Sequence, residues 1–381
     1  MVKGVVLSLA VSACIWDSDT IDDELRGLPE SVDLVTGRWY RHGADYYRAR
    51  LEKLPERLKA SPDDLEAYDD LAVAHERLGD REAAIRVMED KGIALRGKTN
   101  KEHLYRYHAN LGTFYAHSGR LEAAAIEIDR ALVVNPEAHF GRERFQLDAI
   151  RYVMAALKDR SLWKRSNFLS WAGYEITGIS HARVHLVPSH TEKVRPTKTV
   201  DWKEAYTAVA GMLRYGGLEG AELYRVLGDL LLARNDLNLA WYSYQHAVER
   251  NHPASVEIRA ALLAIEEHWR YGGMTTVPTM DDYRSVRAAA DRWLAHFHER
   301  EREALAKGRN PAEPETLKEI VKSANRAEPL SVLPGPRMRI AFQADAGLAG
   351  WIAGVAAATV VLAIAALAAR RRSTPRRRFA G

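Results

Sequence analysis

The stretch HANLGTFYAHSGRLEAAAIEIDRALVVNP, residues 108–136, decides how the whole chain is interpreted. Apolar residues recur at helical spacing on both sides of a turn at residues 117–120. Leu111 and Ile128 are placed to fill the space between the two runs, and small residues such as Gly112 allow two helices to approach closely. The stretch therefore predicts two antiparallel helices joined by a short turn.

This pattern resembles a tetratricopeptide repeat, in which Leu-Gly, an aromatic residue, a turn Gly, an Ala in the second helix and a closing Pro have fixed positions. His108 stands where such repeats usually have Trp. Residues 65–95 and 221–253 show parts of the same pattern, with Lys91 in place of a small residue and Asn235 in place of the turn glycine. The resemblance implies a helical array that binds partner proteins.

The predicted fold is all-α, a tetratricopeptide-like right-handed helical solenoid over residues 39–158 and 201–308. An irregular segment at residues 159–200 interrupts it. One repeat cannot bury its apolar face alone, so the flanking degenerate helices are expected to complete the stack. The acidic residues 17–38 and the Pro-rich residues 309–345 are predicted to be linkers.

Both ends of the chain carry membrane-directed patterns. Residues 1–16 are short, apolar and weakly basic, which is typical of an export signal. Cys14 follows Val-Ser-Ala, which resembles a bacterial lipobox, so lipidation of Cys14, ordinary signal cleavage and a misassigned start are three open alternatives. Residues 346–369 carry no charge and are long enough to cross a hydrocarbon core of roughly 30 Å as a transmembrane helix. The arginines of residues 370–381 place that tail in the cytoplasm and the preceding domain outside.

Composition and motifs exclude several classes of function. The chain has 381 residues and a net charge of +4, but six arginines lie within residues 370–381, so the remainder is slightly acidic and no nucleic acid is expected as a partner. A single cysteine excludes an intrachain disulfide framework. His181, His185 and His190 are the strongest metal-site candidates, but no carboxylate stands at ligand spacing beside them. We predict no enzyme, no cofactor and no metal.

Candidate partner-binding residues come from the first helix of each repeat, whose outward positions line the concave surface of such arrays. Only Asn110 matches the Lys/Asn/Arg arrangement that clamps a terminal carboxylate, so a mixed-charge groove for another polypeptide is expected instead. The candidates are Asp69, Asp70, Val73, Arg77, Arg106, Asn110, Thr113, His117, Arg225 and Asp229.

The function predicted from these features is a membrane-anchored scaffold. It would mediate protein–protein interactions at the extracytoplasmic, periplasmic face of a bacterial-type envelope. One alternative is a structural subunit of a membrane complex, and another is an envelope enzyme with its site in residues 159–200. Glycines at positions 347, 350 and 354 lie close together on the predicted span and would support a homodimer.

Overall fold

The computed structural model describes residues 15–21, 28–179, 195–216, 220–329 and 332–338, and these residues are mostly helical. The predicted helical class is therefore confirmed. A helical turn at residues 18–21 comes first. The helices that follow are α1 (Ser31–Thr36), α2 (Ala44–Ala60), α3 (Leu65–Arg77), α4 (Arg81–Ala94), α5 (Lys101–His117), α6 (Leu121–Val134), α7 (Ala138–Lys158), α8 (Leu162–Arg165), α9 (Phe168–Trp171), α10 (Trp202–Tyr215), α11 (Ala221–Ala233), α12 (Leu237–Glu249), α13 (Ser255–Tyr271), α14 (Met280–Ala306) and α15 (Pro314–Ala327).

The turns between paired helices follow from a few local residues. Gly79, Gly119 and Asn235 have left-handed backbones, with φ of 86°, 81° and 68° respectively. Glycine adopts this conformation without steric cost, and asparagine tolerates it better than most residues. The side chains of Asp80 and Asp236 then cap the next helix by accepting a hydrogen bond from a backbone N–H in its first turn. These signals end one helix and begin the next within three or four residues.

Two of the helix pairs approach each other at a glycine. A Cβ atom on Gly112 would lie 2.7 Å from Cδ1 of Ile128, and one on Gly228 would lie 2.5 Å from Cε1 of Tyr244. Both contacts join the first helix of a pair to the second, α5 to α6 and α11 to α12. The predicted role of Gly112 as a point of close approach is confirmed.

The helices pack mainly against their neighbours in sequence. Consecutive helices contact each other from α2 to α7 and from α10 to α13, and α7 contacts α10 across the inserted segment. The next helix, α14, returns to the start of the array and contacts α1 and α2. Glu301 makes this contact by accepting a hydrogen bond from the backbone N–H of Gly43 at 2.7 Å and lying 2.6 Å from Nδ1 of His42. The described helices therefore close on themselves.

The described part of the insertion is folded, so the prediction of an irregular segment is wrong there. After α8 and α9, strand β1 (Tyr174–Thr177) pairs in parallel with β2 (Lys198–Asp201). Trp163 and Phe168 are buried in the main core. These aromatic residues give the segment enough apolar surface to pack as a layer on α7 and α11.

Helix α1 lies in the core, which corrects the prediction that residues 17–38 are a linker. Leu34 and Val35 are fully buried, and Nε2 of His246 lies 2.8 Å from the carbonyl oxygen of Val35. α1 also contacts α10, α12 and α14. The acidic composition of residues 17–38 suggested a solvated linker, but the region contains a short apolar stretch that is buried when the array closes.

Helix α15 corrects the second linker prediction, residues 309–345. Leu317 and Ile320 are buried in one cluster with Trp293 and Phe297 of α14. All the buried residues of α15 lie on one face, and burial of that face stabilises the helix. The predicted spacer therefore begins, at the earliest, after this packed helix.

Several predictions fall on residues outside the described ones. These are residues 1–14 of the export signal, including Cys14, the three candidate histidines of the insertion, the span 346–369 and the tail 370–381. Among the described helices, none combines the length and the apolar composition that crossing a bilayer requires.

Replacement of Gly112 by Val is expected to lower the free energy of unfolding by about 3 kcal/mol, because the added atoms have to displace Ile128. Urea unfolding followed by tryptophan fluorescence measures the change. Ala288→Val on the exposed side of α14 is the matched control and is expected to cost less than about 1 kcal/mol. Equal losses in the two variants would contradict a close approach at Gly112.

Candidate polypeptide-binding groove

Residues 15–21, called the N-terminal segment below, lie across the helix surface that carries the predicted partner-binding positions. One side chain, Asn110 on α5, bonds to both backbone groups of Trp16. Oδ1 of Asn110 accepts from the Trp16 N–H at 2.7 Å, and its Nδ2 donates to the Trp16 carbonyl oxygen at 2.8 Å. An amide supplies one acceptor and two donors, so it can hold a peptide backbone of any sequence.

Two apolar side chains anchor the N-terminal segment. Ile15 is fully buried in a cluster that includes Val73 and Phe114. The ring of Trp16 meets Tyr105 edge to face with centroids 5.8 Å apart, and its indole N–H donates to the Tyr105 hydroxyl at 3.2 Å. The groove thus supplies an aliphatic pocket next to an aromatic contact.

A serine supplies the polar contact. The backbone N–H and the hydroxyl of Ser18 both donate to Oδ1 of Asp70 on α3, each at 3.0 Å. Asp17 does not reach α3 in this way, because its Oδ1 caps the following helical turn by accepting from the N–H of Thr20 at 2.9 Å. The extended part of the segment therefore ends at Asp17.

Three carboxylates share one guanidinium beside the groove. Nη1 of Arg50 lies 3.2 Å from Asp17 and also contacts Asp19, while its Nη2 lies 2.7 Å from Asp70. Burial raises the pKa of Asp70 to about 6, with Arg50 opposing and Asp17 adding to the rise. Burial also raises the pKa of Asp19, and the nearby Asp17 adds to the effect. The cluster is crowded with negative charge at neutral pH.

A buried ion pair supports Asn110 from behind. Asp69 and Lys91 have fully buried side chains, and Nζ of Lys91 lies 2.6 Å from both carboxylate oxygens. Burial lowers the pKa of Lys91, and the charge of Asp69 opposes this shift. Oδ1 of Asp69 also accepts from Nδ2 of Asn110 at 3.1 Å. This bond fixes the amide in the orientation that holds Trp16.

Four of the ten predicted partner-binding residues border the N-terminal segment. Asp70 and Asn110 bond to it, and Val73 belongs to the same apolar cluster as Ile15. Arg77 lines a cavity of about 70 Å³ that the two aspartates of the segment also border. Residues 15–21 of the chain itself thus occupy this part of the predicted binding face.

The other six residues bond to groups of the same chain, on their own helix, on another helix or in the insertion. Most of these partners lie within reach because the helices and the folded insertion pack together, and buried polar groups are almost always hydrogen-bonded. The contacts are Asp69 to Lys91, Arg106 to Glu102, Thr113 to Gln146, His117 to Glu76, Arg225 to the carbonyl oxygens of Trp163 and Ser166, and Asp229 to Asn167 and Tyr244.

Some residues of the groove were not predicted. Arg50 and Tyr105 contact a segment that lies tens of residues away in the sequence. Tyr105 and Trp16, for example, are 89 residues apart. Ile15 and Trp16 were assigned to the end of the export signal. The one feature of the sequence that could have indicated their burial is that this apolar pair stands directly before an acidic stretch.

Comparison with known proteins does not identify a relative whose binding site resembles this groove. No family model matches the chain, and no curated protein or solved structure is significantly similar to it. In the part of the chain that the structure describes, no group of three or more His, Cys, Asp or Glu side chains is arranged to hold a metal ion. The groove combines a backbone-binding amide, an apolar pocket and a carboxylate acceptor, which suits an extended polypeptide.

Replacement of Lys91 by Ala is expected to lower the free energy of unfolding by about 3–5 kcal/mol, because Asp69 would remain buried without its counter-charge. The variant Asp69→Ala/Lys91→Ala, which leaves no unpaired charge, is expected to lose less than Lys91→Ala alone. Urea unfolding of the wild type, both single variants and the double variant measures the coupling. Additive losses would show that the two residues do not interact.

Docking of the N-terminal segment is expected to weaken as the pH rises. The docked pKa values of Asp70 (about 6) and Asp19 lie above the ordinary value of 3.8. Docking adds the burial of Asp70 and the charges of Asp17 and Asp19 around it, so it raises the pKa of Asp70 and takes up protons. Docking is therefore favoured at lower pH, and hydrogen exchange of residues 15–21, corrected for the intrinsic effect of pH, is expected to show lower protection near pH 7.5 than near pH 5.

The variant Asp70→Asn tests the cause of this dependence, because its amide still accepts from Ser18 but does not titrate. Its protection is expected to vary much less with pH. Asp63→Asn, at an exposed position beside α3, is the matched control and should retain the wild-type profile. A wild-type profile in Asp70→Asn would assign the pH dependence to another group.

Proposed function

We propose that this protein is a tetratricopeptide-like adaptor that binds an extended polypeptide segment on its helical surface. The carrying observation is that Asn110 holds both backbone groups of Trp16, so the surface has the geometry to bind a peptide chain. The glycine contacts shared by α5–α6 and α11–α12 support the repeat assignment. Such arrays present an extended surface made from successive helix pairs, and binding rather than catalysis is their usual activity.

The proposed location is the extracytoplasmic face of a bacterial-type membrane. It is supported by sequence alone, through the uncharged residues 346–369, the arginines that follow them and the signal-like residues 1–16, of which Ile15 and Trp16 stay in the chain under this proposal. A membrane-anchored adaptor of this kind would hold its partner close to the bilayer. The partner would be a protein, and a transmembrane contact between two copies is part of the same proposal.

Site-specific photo-crosslinking of the full-length protein in cells tests the adaptor function. Glu66 is exposed on α3 one turn before Asp70, and Glu89 is exposed on α4. A photo-reactive residue at position 66 is expected to crosslink to another polypeptide, and one at position 89 is the control that should not. Equal crosslinking from both positions, or crosslinks only from residues 346–369, would contradict a helical-surface adaptor. The second result would favour a structural subunit of a membrane complex.

A further inference from the structure

The contacts of the N-terminal segment define what the groove selects. The side chain of Asn110 bonds only to backbone atoms of Trp16, so these bonds would form with any residue at that position. Selection has to come from side chains, and the groove has two features that bind them. One is the apolar cluster that buries Ile15 completely, with Tyr105 beside the ring of Trp16, and the other is the bond from the Ser18 hydroxyl to Asp70.

The native occupant carries one unfavourable feature. Asp17, Asp19 and Asp70 all meet Arg50, so docking places three carboxylates around one guanidinium. Asp17 has a second use, because it caps the turn at Thr20. Within the described part of the chain, Asp19 contacts Arg50 and the hydroxyl of Tyr46, so a neutral residue at its position would relieve the crowding and keep the cap.

The N-terminal segment and the next described element are held by separate contacts. The next described element, α1, is held by separate bonds, from His246 to the Val35 carbonyl oxygen and from Arg287 to the Thr36 carbonyl oxygen at 2.8 Å. Leu34 is fully buried as well. α1 therefore serves as an attachment point whose contacts are separate from those that hold residues 15–21.

We infer that the groove formed by Tyr105, Asn110 and Asp70 is an interaction surface for a partner segment that reads Ile-Trp-Asp-Ser followed by a neutral residue. Residues 15–21 are the tethered occupant that this partner displaces. This inference rests on the proposed adaptor function and names the partner of the same site. Because the occupant is attached to the groove it fills, it reduces the apparent affinity of any competitor.

The test uses the full-length chain with a sequence-specific protease site placed within residues 22–27. Cleavage after folding frees the occupant and leaves the helices intact, which circular dichroism verifies. A fluorescent peptide IWDSNTI is expected to bind the cleaved chain at least about tenfold more tightly than the uncleaved chain, measured by anisotropy. Equal affinity for the two forms would overturn the inference that residues 15–21 occupy the same site.

Peptide variants test the recognition without altering the protein. AADSNTI lacks both apolar anchors. A peptide in which the backbone nitrogen of Trp is methylated lacks the N–H that donates to Oδ1 of Asn110. Each is expected to bind the cleaved chain at least about tenfold more weakly than IWDSNTI, and IWDSDTI is expected to bind more weakly near pH 7.5. Equal binding of AADSNTI and IWDSNTI, or binding of none of the peptides, would overturn the inference.

Two further results separate this inference from others. If no peptide binds but position 66 still crosslinks to a protein partner, the recognition pattern is wrong and the adaptor function stands. Light scattering of the full-length chain before and after cleavage is expected to give the same mass. A dimer that dissociates on cleavage would show that the segment fills the groove of a second copy, which overturns the tethered arrangement.

Discussion

The ion pair between Asp69 and Lys91 is the interaction on which the groove depends. Both side chains are removed from water, a costly step that the short contacts to both carboxylate oxygens offset. The same carboxylate accepts from Asn110, so a contact inside the α3–α4–α5 stack orients the amide that holds Trp16. The stability of the helix array and the geometry of the groove are therefore coupled through one buried charge.

Closure of the array decides how much of its inner surface is open to a partner. α14 reaches the start of the array through Glu301, and α1 lies among α10, α12 and α14. Polar side chains on the first helices of the pairs also meet carbonyl oxygens and charged groups of the same chain, as Arg225 does with Trp163 of the insertion. The part of this surface that holds a peptide is the part occupied by residues 15–21.

The N-terminal region is held with two different strengths. α1 is a core element with Leu34 and Val35 fully buried, whereas residues 15–21 depend on Ile15, one amide and one crowded carboxylate cluster. A short segment that crosses the surface of a helix array opens at a lower free energy than the core beside it. Residues 15–21 would therefore leave this surface while the fold persists.

The sequence by itself determined the helical class, the turns at Gly79, Gly119 and Asn235, and the close approach at Gly112, because these depend on residues a few positions apart or on one repeated spacing. It also predicted the helix face that carries Asn110 as a binding surface. Only the tertiary structure decided what covers that face. The bonds from Asn110 to Trp16 span 94 residues, and the burial of α1 and α15 depends on the return of α14 to the start of the array. No local pattern encodes such contacts, because each joins residues far apart in the sequence that meet only after the helices have closed.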